Sequence, residues 1–259
     1  MWEDRPLPLA AEVGSTSDGA RLTVSRLDFL LSGMALRRED GAWLEEPNWF
    51  AVFRSDKGRF TARIGGVPAR RFNAIRFQVG VDPRTNAADP SGRGDHDPLH
   101  PLVNGLHRGS RGGFIFLAVE GRCQRPDGTF APYSWHVEGD ANLMHVELPL
   151  VLGPTGPQTI RLALDVEKIF RGASPVLNPV AGEAEGGIEG GTRGRLLKSN
   201  VESAFRVRRV VAGRHQEFAD AVPGQACGEW TARTSNLRAT AAHACPRTLS
   251  TRHSNDLDG

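Results

Sequence analysis

Cysteine is scarce in this 259-residue chain: Cys123, Cys227 and Cys245 form no CxxC pair and no zinc spacing. That removes zinc-ribbon and dithiol-redox readings. A bridge between Cys227 and Cys245 stays open, with unrelated thiols the plainer reading. Tyrosine occurs once and aromatic residues total 7%, which leaves few stacking platforms for single-stranded nucleic acid. The formal charge is only +2, so bulk electrostatics calls for neither nucleic acid nor an acidic membrane. No apolar run reaches the roughly 18 residues of a membrane-spanning helix. The opening "MWEDRPLPLAAEVGS" has no basic stretch followed by an apolar one, so no signal peptide is visible. Taken literally, these residues imply a cytoplasmic protein.

Thirty glycines and seventeen prolines point instead to many turns. Between residues 21 and 166 apolar residues recur with period two, as strands require. "RLTVSRLDFLL" puts Leu22 and Val24 on one face and then shifts to Leu27, Phe29 and Leu31, which predicts a bulge near Arg26. "YSWHVEGD" sets Tyr133, Trp135 and Val137 against Ser134, His136 and Glu138. "GFIFLAVEG" is apolar on both faces, as a central strand would be. Turn signals such as "EDGAW", "RPDGTF" and "GPTGPQ" separate the runs. The pattern predicts an all-β fold, an antiparallel β-sandwich over 11–211, with one long functional insert and a short C-terminal helix. "EKIFRGAS" reads as one helical turn and "GEAEGGIEGGTRG" as a flexible linker. Leu197, Val201, Ala204 and Phe205 stand at helical spacing. Residues 212–259 lack periodicity and read as mostly disordered.

The insert, Val81 to Gly113, is too long for an ordinary connection and is the leading functional surface. Several chemistries are open to its "NGLHRGSRGG". A phosphate cradle lacks a Walker lysine and precedes a strand rather than a helix. A single "SRGGF" is not an RGG repeat. Ser110 lies near His107, but no nucleophile elbow surrounds it, and no paired-carboxylate site is visible because the acidic residues are expected in turns. A metal reading is stronger. His96, His100 and His107 lie in the insert and His136 on a strand, and converging imidazoles bind copper or zinc. For His96 and His145 a surface role is the plainer reading.

The ordered series "LTVSRLDFLLSGMALRREDG", "GGVPARRFNAIRFQVGVDPRTNAADP", "NGLHRGSRGGFIFLAVEG", "YSWHVEGDANLMHVELPL" and "LKSNVESAFRV" resembles the MbnP-like family of bacterial copper-binding proteins over about residues 20–210. The resemblance implies a periplasmic or surface β-sandwich. It also implies a MauG-like dihaem peroxidase partner, which oxidises a tryptophan that helps bind copper. It sets His136 on the family's "FHxG"-type histidine and His107 on a histidine before the tryptophans of some members. Gly113, Phe114, Phe116, Glu120 and Gly121 match the strand that follows. Where members read W-x-W this chain has Arg108, Gly109 and Ser110, and strand alternation aims Trp135 away from His136. The expectation is a non-enzymatic copper-binding protein with weakened affinity and the metal ligands His136, His107 and His100. The alternative is a degenerate sandwich scaffold that has lost the metal and contacts a protein partner.

Overall fold

The computed structural model describes residues 1, 7–16, 19–57, 61–109, 112–171, 185–188, 191–212 and 229–234, with backbone alone for 185–188, 191–193 and 229–234. Its spine is strand β2 (Arg21–Arg38), which follows β1 (Glu12–Ser15). The chain continues through β3 (Trp43–Arg54), β4 (Thr61–Val67) and β5 (Phe72–Val79) into the insert. It returns as β6 (Ile115–Gln124), β7 (Phe130–Glu138), β8 (Met144–Leu152) and β9 (Gln158–Leu164). Helix α3 (Val166–Arg171), strand β10 (Glu185–Ile188), helix α4 (Gly191–Ala204), β11 (Phe205–Ala212) and β12 (Glu229–Thr234) complete the described elements.

Two sheets result. One runs β10-β7-β6-β2-β5-β8, with β1 and β3 also paired to β2; the other runs β11-β9-β12-β4. Pairing is antiparallel except β10 with β7 and β12 with β4. The all-β sandwich expected from the alternation is therefore present. Its two layers meet through Phe205 of β11, whose ring stands edge-on to Phe77 at 5.3 Å and Phe29 at 6.0 Å. Such edge-to-face pairs add to what burial alone contributes.

The bulge on β2 is where the alternation placed it. Val24 opposes Gly121, but Arg26 opposes Glu120, leaving one extra residue on β2. The shift brings the Arg26 guanidinium beside the Glu120 carboxylate.

The insert is a chain of capped turns. Asp82 caps α1 (Pro83–Ala87) by accepting from the amides of Arg84 and Thr85. His100 caps α2 (Pro101–Asn104), which ends on Gly105 in the left-handed region at φ 61°. Proline at the first helical position and an acceptor before it are the ordinary start signals. Leu99 and Leu106 are fully buried anchors of this segment.

Two expectations need correction. The glycine-rich linker contains a strand, Glu185–Ile188, in register with Ser134–Val137 of β7. The helical spacing holds only to Ala204, because "FRVRRVVA" is strand β11 paired to β9; three valines in eight residues suit a pleated sheet better than a helix. Within 212–259, Ala212 ends β11 and Glu229–Thr234 form β12; residues 213–228 and 235–259, with Cys227 and Cys245, lie outside the described residues. Cys123 is buried, its thiol 3.8 Å from the Gln124 carbonyl oxygen.

Candidate functional site

Strand β7 sorts its residues by alternation. Tyr133, Trp135 and Val137 are at most 2% exposed in the core, so Ser134, His136 and Glu138 stand on the opposite face. Trp135 stacks on Phe170 at 5.2 Å, which confirms that it cannot stand in for a tryptophan beside His136. Glu120 of β6 shares the face of His136, as the contact between their side chains requires.

On that face five charged side chains and one imidazole form a continuous ladder. Arg26 Nε donates to Asp28 Oδ2 at 2.7 Å, and its Nη1 donates to Glu120 Oε1 at 2.7 Å. The same Glu120 oxygen lies 2.9 Å from His136 Nε2. His136 Nδ1 lies 3.1 Å from Arg108 Nη2. Arg108 in turn grips Glu138, with Nε at 2.8 Å from Oε2 and Nη2 at 3.3 Å from Oε1. Asp28, 1% exposed, is fixed from behind by the Ser55 amide and hydroxyl at 2.8 and 3.0 Å.

The donors decide the tautomer. A guanidinium has no acceptor, so His136 Nδ1 must present its lone pair to Arg108. Nε2 then carries the hydrogen and donates to Glu120, with Ser134 Oγ 3.2 Å away. Partial burial opposes ionisation of Glu120, but the His136 hydrogen bond and the Arg26 charge outweigh it and hold its carboxyl below the ordinary range. Glu138, whose side chain is 9% exposed, has Arg108 as the ion-pair partner of its carboxylate.

The other expected ligands are placed differently. His107 Nδ1 accepts from the Gly109 amide at 3.1 Å, and its ring stands edge-on to Phe114 at 4.7 Å. Burial pushes the His107 imidazole below its ordinary pKa, against the pull of Asp89. It therefore stays in the neutral, ligand-competent form near neutrality. His100 spends Nδ1 on the Leu102 amide at 3.3 Å as a helix cap. His96 and His145 are exposed. Among the described residues no three or more His, Cys, Asp or Glu side chains gather as a metal group. The expected meeting of His136, His107 and His100 is thus corrected: capping holds the His100 ring at α2, and Arg108 stands against His136. Ser110 lies outside the described residues.

Sequence reasoning missed Glu120 and Glu138 as site residues by expecting carboxylates in turns; both lie on strands. The i, i+2 spacing of His136 and Glu138 was the signal available for one of them. A shallow depression of about 520 Å³ opens over Ser25, Glu120, Arg122, Ser134 and His136, with Arg108 at its wall. A larger one, about 610 Å³, is lined by Glu45, Gln78 and His145 among others. The smaller is the candidate site because it holds the oriented imidazole.

The family model described as MbnP matches residues 1–183. A solved structure, MbnP from Methylosinus trichosporium, is 14% identical over 74% of this chain and 78% of that one, with a TM-score of 0.41. No curated protein matches.

Proposed function

The chain belongs to the MbnP family, and from that premise we propose that it is a non-enzymatic copper-binding protein of the periplasm or cell envelope. His136 is the principal ligand and His107 the second, while capping keeps His100 at α2. The observation that carries this reading is the Glu120–His136 hydrogen bond, 2.9 Å long. A carboxylate on one ring nitrogen fixes the tautomer and presents the other as a basic ligand, as in most histidine metal sites. Among the described residues no helix is long and apolar enough to cross a membrane.

Arg108 weakens the affinity. Two like unit charges about 4 Å apart cost roughly 4 kcal/mol at an effective dielectric near 20, so a metal ion reaching His136 must displace the guanidinium. A MauG-like dihaem peroxidase is the partner the family suggests. Its tryptophan target is replaced here by Arg108 and Ser110, so copper binding in this chain rests on unmodified side chains.

Calorimetric titration with Cu(I) and Cu(II) tests the proposal. One ion per chain is expected, lost in His136→Ala and weakened in His107→Ala. Zero stoichiometry, or full retention in His136→Ala, rejects it. The second reading, a metal-free scaffold that holds a protein partner, is favoured by Leu102, 88% exposed on α2 of the insert. It predicts zero copper.

A further inference from the structure

The six-membered ladder contains a cation in the position a metal would take. Arg108 Nη2 lies 3.1 Å from His136 Nδ1 and 3.3 Å from Glu138 Oε1. Both acceptors therefore aim at one point, and a positively charged nitrogen occupies it. They are two residues apart on β7, so the strand holds them on one face at a fixed spacing. Behind the imidazole, Glu120 takes the other ring hydrogen. Carboxylate, imidazole, then cation is the order found where histidine binds a metal.

We propose that His136 Nδ1 and the Glu138 carboxylate form a site for a borderline divalent transition ion, Cu(II) or Zn(II), which the protein's own Arg108 guanidinium plugs. The inference rests on His136 being the metal-facing histidine and adds Glu138 as its oxygen ligand. The class follows from the donors: one neutral nitrogen and one hard, anionic oxygen suit Cu(II) and Zn(II) better than the thiophilic Cu(I).

Charge makes the site demand a cation. Glu138 is 7% exposed, and Arg108 is its ion-pair partner. A carboxylate held away from water is costly without a counter-charge. When Arg108 leaves, an arriving ion supplies that charge. Metal–ligand bonds are about 2.0–2.2 Å long, so the two donors must close by about 1 Å each from where they hold the guanidinium. Gly105, Gly109 and Gly113, at φ 61°, 83° and 64°, lie around Arg108 in backbone conformations that only glycine adopts freely. Entry of the ion is an exchange of one cation for another: the Arg108 hydrogen bonds to His136 and Glu138 are released, coordination bonds form, and no covalent bond breaks.

Titration of purified variants with CuCl2 and ZnCl2, read by calorimetry and by Cu(II) electron paramagnetic resonance, tests this. Arg108→Ala should bind one Cu(II) at least about tenfold more tightly than the parent, with nitrogen and oxygen in its resonance pattern; outer contacts of this kind shift metal affinity roughly 10- to 100-fold. Adding Glu138→Gln or His136→Ala to Arg108→Ala should abolish the gain, whereas adding His107→Ala should not. If Arg108→Ala does not fold, Arg108→Lys serves. It keeps a counter-charge for Glu138 without reaching both acceptors, and it too should bind more tightly than the parent. A gain that survives Glu138→Gln but not His107→Ala overturns the plug site while leaving the His136–His107 reading intact. Copper binding that survives His136→Ala overturns both, and parental affinity in folded Arg108→Ala or Arg108→Lys overturns the plug.

Discussion

At Gly121, β2 and β6 approach so closely that a Cβ would lie 2.0 Å from the Thr23 carbonyl oxygen and 2.8 Å from the Tyr133 hydroxyl. That hydroxyl already donates to the same carbonyl at 2.8 Å. Nothing near the position is the far end of a flexible side chain, so the strand pair itself would have to separate. Gly121→Ala should therefore lower stability by about 1–3 kcal/mol, the usual cost of overfilling a packed site. Urea unfolding measures it, and an unchanged midpoint would show that the pair can spread freely. Arg108 illustrates the limit of reading residues singly. That a guanidinium next to His107 would oppose a metal is legible in "LHRGS"; that it reaches His136 and Glu138 on another segment is not. Spacing along a strand reports a shared face, but it does not report which distant side chain arrives there.

Among the elements, helix α1 depends on one cap. Asp82 accepts from two amides and from the Thr85 hydroxyl at 2.5 Å. Burial opposes its ionisation, yet the Thr85 and Arg84 hydrogen bonds prevail and depress its carboxyl pKa. The sign follows from linkage: a depressed carboxyl adds stability above its unfolded value, near pH 4, and that stability is lost as pH falls through the folded value. Asp82→Ala should cost about 1 kcal/mol at neutral pH, typical of an N-cap. Its deficit against the parent should shrink below about pH 4, measured by denaturation at several pH values. A deficit constant with pH would assign the loss to something other than the carboxylate. Both caps obey a local rule, an acceptor preceding proline in "VDPRT" and "LHPLV". The boundary at Phe205 obeys none. Helical spacing runs on by chance into "FRVRRVV", and only pairing with β9 turns those valines into a strand.

For the whole molecule, the decisive contact is between layers. Phe205 is 6% exposed and touches both Phe29 and Phe77 of the opposite sheet. Phe205→Ala should lower stability by about 3–5 kcal/mol, read as a fall in the urea midpoint. A loss below about 1 kcal/mol would mean that the two sheets are held together elsewhere. The near-neutral charge of the chain conceals a local order. Asp28, Arg26, Glu120, Arg108 and Glu138 alternate in sign along one face, with the His136 imidazole between Glu120 and Arg108, and composition averages that pattern away.

Period two, the turn residues and the bulge at Arg26 were settled by the order of amino acids alone, because alternation and turn chemistry act between near neighbours. The outward direction of His136 and the inward direction of Trp135 followed from the same rule. Only the tertiary structure decided what His136 faces. The ladder joins β2, β6, β7 and the insert, and its contacts span up to 94 residues of chain, a distance over which no local preference sets position.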